Sequence, residues 1–329
     1  MLRSFVQHSS TPRRVIAMRE GDLHALIAAA NARLPLGVMV PPGDDMAQVA
    51  VEGGSVLVAC DQVIEGRHFV PETPLELVAR KAIARNVSDV AAMAGRPLAC
   101  LCAATLPSDM PESAVRALTA ALQRHAEDFG CPLIGGDTSW HGEPGHPLQL
   151  SITILAVPHA SGRVVRRDQA RDGDVAVVSG ALGGSFGIDG LGRHLRFDPR
   201  VRLARELVDQ FGDRLGAMID VSDGLGRDLD RIARASGSAI MIEGDRIPVQ
   251  EGCSLDQALR DGEDHELAFT LRADAASELP VALAGVPLTV IGRVHAACER
   301  HPIGASVFLA GAWHAMGSMG WEHGPAQGA

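Results

Sequence analysis

Asp45, Asp61, Asp89, Asp137, Asp220 and Asp223 stand where carboxylates can do chemistry. Each sits at the end of an apolar run or beside glycine, as in Gly43-Asp44-Asp45, Gly135-Gly136-Asp137-Thr138 and Asp220-Val221-Ser222-Asp223-Gly224. A single loop-tip aspartate is ordinarily a cap or turn residue. Several in one place are another matter. Two carboxylates ~4 Å apart repel by about 4 kcal/mol at an effective dielectric of about 20, so a convergent set calls for cations. Oxygen donors alone point to Mg2+, and Mg2+ shared between carboxylates and substrate phosphates is the usual arrangement in nucleotide chemistry. Asp89 adds a local argument. At the last turn of a helix it faces the negative end of the dipole, which costs about 0.3–1 kcal/mol unless a cation is near.

Backbone N–H groups able to cradle phosphate occur at Gly135-Gly136 and at the helix start after Ser222-Asp223-Gly224. Gly180-Ala181-Leu182-Gly183-Gly184 follows a strand but is not GxGxxG, and reads as strand–helix packing glycine. There is no GxxxxGK[ST], and the one lysine, Lys81, falls mid-helix, which excludes a P-loop enzyme. The protein-kinase motif set, GxSxG and HExxH are absent. His68, in Glu65-Gly66-Arg67-His68-Phe69, is a loop residue or a ligand. Gly262-Glu263-Asp264-His265-Glu266-Leu267 is a solvated start of a strand or a ligand group. The residues alone leave both open.

The elements that must position these residues mix strands and helices. Residues 56–60 form a short strand closed by Asp61. Apolar residues at 75, 78, 79, 82, 83, 87, 90 and 91 predict a helix over 74–94. Strands follow at 98–106, at 132–134 running into Gly135-Gly136, and at 148–157, with a helix over 112–129. A turn-rich basic stretch, 162–174, precedes a strand at 175–179. In the second half a helix covers 199–210 with Pro199 in its first turn. A strand at 217–219 ends in Asp220, and Ser222 or Asp223 caps a helix running to about Ala235. Further strands fall at 239–242, 265–271 and 288–291. The pattern predicts an α+β protein of two halves, 18–160 and 161–329, rather than one doubly wound sheet. Residues 1–17 read as a disordered tail or an upstream start, not a targeting peptide.

Composition narrows the classes. With 329 residues, 46% of them hydrophobic, the chain can bury sizeable cores. No apolar run reaches the ~20 residues of a membrane helix. A net charge of −10 argues against a general nucleic-acid binder. Six cysteines without a CxxC pair fit a reducing, cytoplasmic compartment.

Some segments act together: Gly43-Asp44-Asp45, Asp61-x-x-x-Glu65-Gly66-x-His68-Phe69, Lys81-Ala82-x-Ala84-x-Asn86-x-Ser88-Asp89-x-Ala91-Ala92-Met93 and Leu133-Ile134-Gly135-Gly136-Asp137-Thr138. The second half adds Gly162-Arg163-x-x-x-Arg167, His194-Leu195-Arg196-x-x-Pro199-Arg200, Asp220-x-Ser222-Asp223-Gly224-Leu225 and Gly262-Glu263-Asp264-x-Glu266-Leu267. In this order and spacing the set resembles the thiamine-monophosphate kinases, of the superfamily that includes aminoimidazole ribonucleotide synthetase, selenophosphate synthetase and the hydrogenase-maturation dehydratase.

The resemblance implies an ATP-dependent kinase that converts thiamine monophosphate to the diphosphate by direct in-line transfer, with several Mg2+ ions neutralising charge. It implies Asp45, Asp61, Asp89, Asp137, Asp220 and Asp223 as Mg2+ ligands. It places Gly136, Asp137, Arg167 and Ser222 on ATP, and His68, Glu263 and Trp321 on the thiamine phosphate. No covalent or general-base residue is expected, because the acceptor phosphate oxygen is already ionised at neutral pH. It also implies a homodimer whose amino-terminal halves pair into a β-barrel flanked by helices, each with a carboxy-terminal α/β sandwich. Where the family usually has Ser/Thr-Thr-Asp this chain has Ala59-Cys60-Asp61. That departure motivates one alternative, a catalytically weak ATP-binding regulatory dimer; another ATP-dependent enzyme of the superfamily is the second.

Overall fold

The computed structural model describes Leu23, Leu26, Ile27 and residues 29–322, so the tail expected over 1–17 lies outside the described residues. In the amino-terminal half, strands β1 (Val38–Val40), β2 (Ala47–Val51), β3 (Gly54–Ile64), β4 (Arg96–Leu106), β5 (Leu133–Trp140) and β6 (Gln149–Val157) form one sheet in the order β1-β2-β3-β6-β4-β5. Helices α1 (Leu75–Ala92) and α2 (Glu112–Asp128) pack on one face of it. Alternation along β6 shows why. Leu150, Ile152, Ile154 and Ala156 are fully buried beneath the helices, while Ser151, Thr153, Leu155 and Val157 stay half-buried on the other face. That second face carries Val58, Cys60 and Leu101 with no described element over it. The sheet is open, with β1 and β5 at its edges; among the described residues no barrel closes.

The carboxy-terminal half is built on β7 (Val175–Ser179), β8 (Leu215–Asp220), β9 (Ser238–Glu243), β10 (Leu267–Leu271), β11 (Ala282–Leu283), β12 (Val286–Ala296), β13 (Gly304–Leu309) and β14 (Ala312–Ala315). Their order is β14-β13-β9-β12-β7-β10-β8, with β11 paired to β12. Every residue of β7, β8 and β10 is buried, as expected of strands covered on both faces. Helices α4 (Leu225–Ala235) and α5 (Leu255–Arg260) cover one face, over Ala176, Val178, Ile219 and Ile240. Helix α3 (Val201–Phe211) covers the other, over Val175, Val177, Met218 and Phe269. Ala91 and Ala94, at the end of α1, join this second core. Helix α1 therefore packs against both halves, and almost all of its residues are buried or half-buried.

Two local expectations change. The strand expected to stop before Gly135-Gly136 continues through them to Trp140, so the pair is part of the β4–β5 ladder. Gly136 adopts φ +153°, and a Cβ there would collide with the Cys102 carbonyl, so close approach of β4 explains the glycine. Neither Ser222 nor Asp223 caps α4. The N-cap is Gly224, at φ +109° and without a side-chain cap. The loop's orphan donors turn instead to Asp228, whose Oδ2 accepts the Ser222 and Asp223 N–H groups at 3.0 Å each. The glycines of 180–184 do serve packing: a Cβ on Gly183 would press on the Ala258 backbone of α5.

Candidate active site

Three separate elements deliver the central carboxylates. Asp45 comes from the β1–β2 loop, Asp89 from the last turns of α1, and Asp220 from the end of β8. One oxygen from each lies within 4.8 Å of the others. Such proximity needs compensation, and the surroundings supply only part of it. Arg167, in the connection between the halves, donates to Asp45 from Nε at 3.1 Å and Nη2 at 2.5 Å, while its N–H donates to Asp44 at 3.1 Å. Even so, burial, with the charges of Asp220 and Asp44 added, pushes the Asp45 carboxyl up to about 8 against the pull of Arg167. Burial pushes Asp89 well above the carboxylate range, and Asp61, Asp220 and Asp45 add to it. For Asp220 burial is overcome. Ser88 Oγ donates to its Oδ2 at 2.6 Å and His265 Nδ1 lies 3.1 Å from the same oxygen, and these contacts hold it below its usual value. The trio offers oxygen donors alone and an excess of negative charge, which fits a hard divalent cation.

Around the trio, α1 contributes cations at four-residue spacing. Lys81, Arg85 and Asp89 lie on one stripe of the helix, with Ser88 beside them. Arg85 reaches Asp61 Oδ2 and Glu263 Oε1, each at 3.3 Å. Burial weakens its hold on the proton, but the charges of Asp61, Glu263, Asp89 and Asp223 more than restore it. Lys81 is fully buried, pairs with Glu263, donates to the His68 carbonyl and lies 2.7 Å from His194 Nδ1. Burial draws the Lys81 ammonium down to about 8 although Glu263 opposes this. Burial opposes ionisation of Glu263 too, yet Lys81 and Arg85 keep its carboxyl well below the usual range.

The remaining site candidates fall into two groups. Asp61, Asp223, Glu263 and Arg167 stand around the trio, whereas His68 meets Lys81 through its carbonyl, farther along α1. Asp223 pairs with Arg231 at 2.6 Å and its carbonyl accepts the Trp321 N–H at 2.8 Å, which sets the exposed Trp321 beside this loop. Ser222 accepts the Glu263 N–H at 2.7 Å on its carbonyl, fixing one loop against the other. His68 is buried, its Nδ1 accepting the Ile64 N–H at 3.0 Å. Gly136 and Asp137, by contrast, lie on the exposed edge strand β5. The register Asp61–Ile152–Cys102–Gly136 puts Gly136 on the sheet face of Asp61 and Asp137 on the opposite one. Cys60 also points away from Asp61, so the Ala-Cys departure leaves the cleft untouched on the thiol side.

The acidic run before β10 is buried rather than solvated. Asp264 takes the Ser185 hydroxyl at 2.5 Å, the Gly183 N–H and Arg193; Glu266 takes Arg200 and the Ser179 hydroxyl. These two hold the frame, while Glu263 alone turns to the cleft. Sequence reasoning missed Lys81, Arg85 and Ser88 as site residues; their spacing with Asp89 down one helix was the available signal.

The loop carrying Ser222 and Asp223 depends on Asp228, whose carboxyl burial raises to about 7 although Arg231 opposes it. Asp228→Ala leaves two N–H groups without their acceptor and is expected to lower stability by about 1–3 kcal/mol in urea unfolding. An unchanged midpoint would show that water replaces the carboxylate without cost.

Comparison with known proteins finds relatives over most of the chain. Residues 43–158 match the family described as AIR synthase related protein, N-terminal domain. The thiamine-monophosphate kinase of Rhodopirellula baltica is 36% identical over 249 residues, covering 72% of this chain and 75% of that relative. The one from Salmonella typhimurium is 33% identical over 287 residues, covering 78% and 84%. A solved structure described as AaThiL complexed with AMPPCP and TMP matches with TM-score 0.75 and 28% identity, over 93% of this chain and 97% of that one. Similarity of this extent covers most of the chain and most of each relative: the chain belongs to the thiamine-monophosphate kinase family.

Proposed function

We propose that this protein transfers the terminal phosphoryl group of ATP to thiamine monophosphate, yielding thiamine diphosphate and ADP. The observation that carries the reading is the meeting of Asp45, Asp89 and Asp220 in a cleft walled by both halves. Named relatives of the family and the neighbour holding AMPPCP and TMP support the substrates. The acceptor is a phosphate oxygen already ionised at neutral pH, so the reaction asks for charge neutralisation and alignment rather than a base.

Asp45, Asp89 and Asp220 would hold Mg2+, with Asp61 and Asp223 beside them. Bound there, Mg2+ supplies the positive charge that lets two polyanions approach and that spreads over the transferring group. The protein's own residues do the rest. Arg167 holds Asp45 in place and offers its guanidinium to the nucleotide, with Ser222 nearby. Lys81 and Arg85 fix Glu263, which with His68 and Trp321 forms the proposed thiamine phosphate side. Gly136 and Asp137 belong to this reading in the assembled homodimer, where the uncovered face and exposed edge of the six-stranded sheet find their partner. Pairing there would bury Val58, Leu101 and Leu155 and complete the barrel.

The test is a steady-state assay with ATP, Mg2+ and thiamine monophosphate, following ADP and thiamine diphosphate together. Equimolar formation of both, lost in EDTA, is the expected result. ATP binding with no diphosphate formed would overturn the kinase reading in favour of a regulatory dimer.

A further inference from the structure

The eight-stranded sheet is covered unequally. Helices α4 and α5 sheathe one face, but on the other α3 covers only the β7, β10 and β8 end, and no described helix lies over β9, β13 and β14. There the surface sinks into a groove of about 610 Å3, within the size range of small-ligand sites. Register explains its lining. Met241 opposes Arg293 and Ser306, Glu243 opposes Phe308, and Phe308 opposes Trp313, so these residues share one face. A bulge between Val290 and Gly292, with β12 packed so close that a Cβ on Gly292 would collide with the Met241 carbonyl, sets the direction of Arg293.

The groove gathers three arginines with little opposing charge. Arg246, Arg293 and Arg300 line it, and among the described residues none has an ion pair. Elsewhere arginines such as Arg116, Arg163, Arg214 and Arg272 are each paired with a carboxylate. His295 and His301 line the groove with ring centroids 4.6 Å apart, and Trp313 forms a half-exposed wall braced 5.2 Å from Phe308. Glu243 is the one carboxylate among the described lining residues; nearby Asp172 accepts the Ala296 N–H at 2.8 Å. In a chain of net charge −10, three guanidinium groups without an ion pair around one hollow offer the donors that phosphate oxygens accept from.

We propose that this groove binds a second ligand, a phosphate chain bearing an aromatic ring, with the arginines on the phosphates and Trp313 stacked on the ring. The proposal does not rest on the catalytic reading. A nucleoside diphosphate and thiamine diphosphate share this chemistry, and the experiment separates them.

The two sites differ in what phosphate binding requires. A carboxylate cleft admits phosphates only with divalent cations, whereas an arginine groove needs none. Calorimetric titration of the full chain in EDTA, with ADP and separately with thiamine diphosphate, should therefore report the groove alone. Binding of one equivalent per chain is expected, the tighter of the two identifying the source. The double variant Arg293→Ala/Arg300→Ala should weaken it by roughly tenfold or more, and Trp313→Ala by roughly threefold or more. Both variants should keep the wild-type melting temperature, which shows them folded. No binding of either compound in EDTA, or binding unaffected by the arginine variant, overturns the proposal.

Discussion

Asp89→Asn is expected to lower Mg2+-dependent turnover by about a thousandfold or more while raising the melting temperature of the metal-free protein. Asparagine is nearly isosteric, so packing at the end of α1 is preserved. What changes is charge. Asp89 is surrounded by Asp61, Asp220 and Asp45, and it has no ion pair among the described residues, whereas Asp45 has Arg167. Its folded-state carboxyl titrates far above its unfolded value, so at neutral pH the ionised form opposes folding, and removing the charge relieves that strain. The same removal takes away a carboxylate from the proposed cation site. A loss of ~4 kcal/mol in transition-state stabilisation corresponds to about a thousandfold in rate. Thermal melts in EDTA and in Mg2+, alongside the assay, check both halves of the prediction. The wild type should gain stability with Mg2+ and the variant should gain far less. A variant with normal turnover and a full Mg2+-dependent gain removes Asp89 from the site.

Much of the frame is readable from local pattern. The apolar spacing of 75–91 marks α1 to within a few residues, and the alternation of 148–157 marks β6. Asp61 shows where local pattern misleads. Read as the close of a short strand, it sits inside β3, whose pairing with β6 runs on through Ile64. A carboxylate inside a strand looks like a terminus when nothing in the segment tells what covers it. The trio is harder still, because Asp45, Asp89 and Asp220 come from elements far apart in the chain, and no window contains two of them. Only the ordered set of motifs, through its resemblance to a family, joined them. Buried charge is the part left unread. The 263–266 run has the composition of a solvated loop, and its burial depends on Arg193, Arg200, Lys81 and Arg85 arriving from other elements. A partner supplied by tertiary structure leaves no trace beside the residue it neutralises.

Lys81→Met is expected to destabilise the protein by about 3–5 kcal/mol, because it leaves Glu263 buried without its closest counter-ion. At about 2–4 °C per kcal/mol for a chain of two ordinary domains, that is a fall on the order of 10 °C in melting temperature. The chain uses arginine at every other basic position, and the geometry explains this exception. An ammonium has three donors pointing apart, and Lys81 meets three acceptors: the Glu263 carboxylate, the His68 carbonyl and His194 Nδ1. His194 Nε2 donates to the Gly190 carbonyl at 3.0 Å, which leaves Nδ1 free to accept. The planar fork of arginine cannot address three acceptors in that arrangement, so Lys81→Arg should also destabilise. The decisive measurement is the cycle through Glu263→Gln. If the ion pair fastens α1 to the loop before β10, the double variant Lys81→Met/Glu263→Gln should be more stable than the Lys81→Met single variant, with a coupling of about 1–3 kcal/mol. Additive losses would mean that Lys81 acts through packing alone, since Arg85 would then suffice to hold Glu263 ionised.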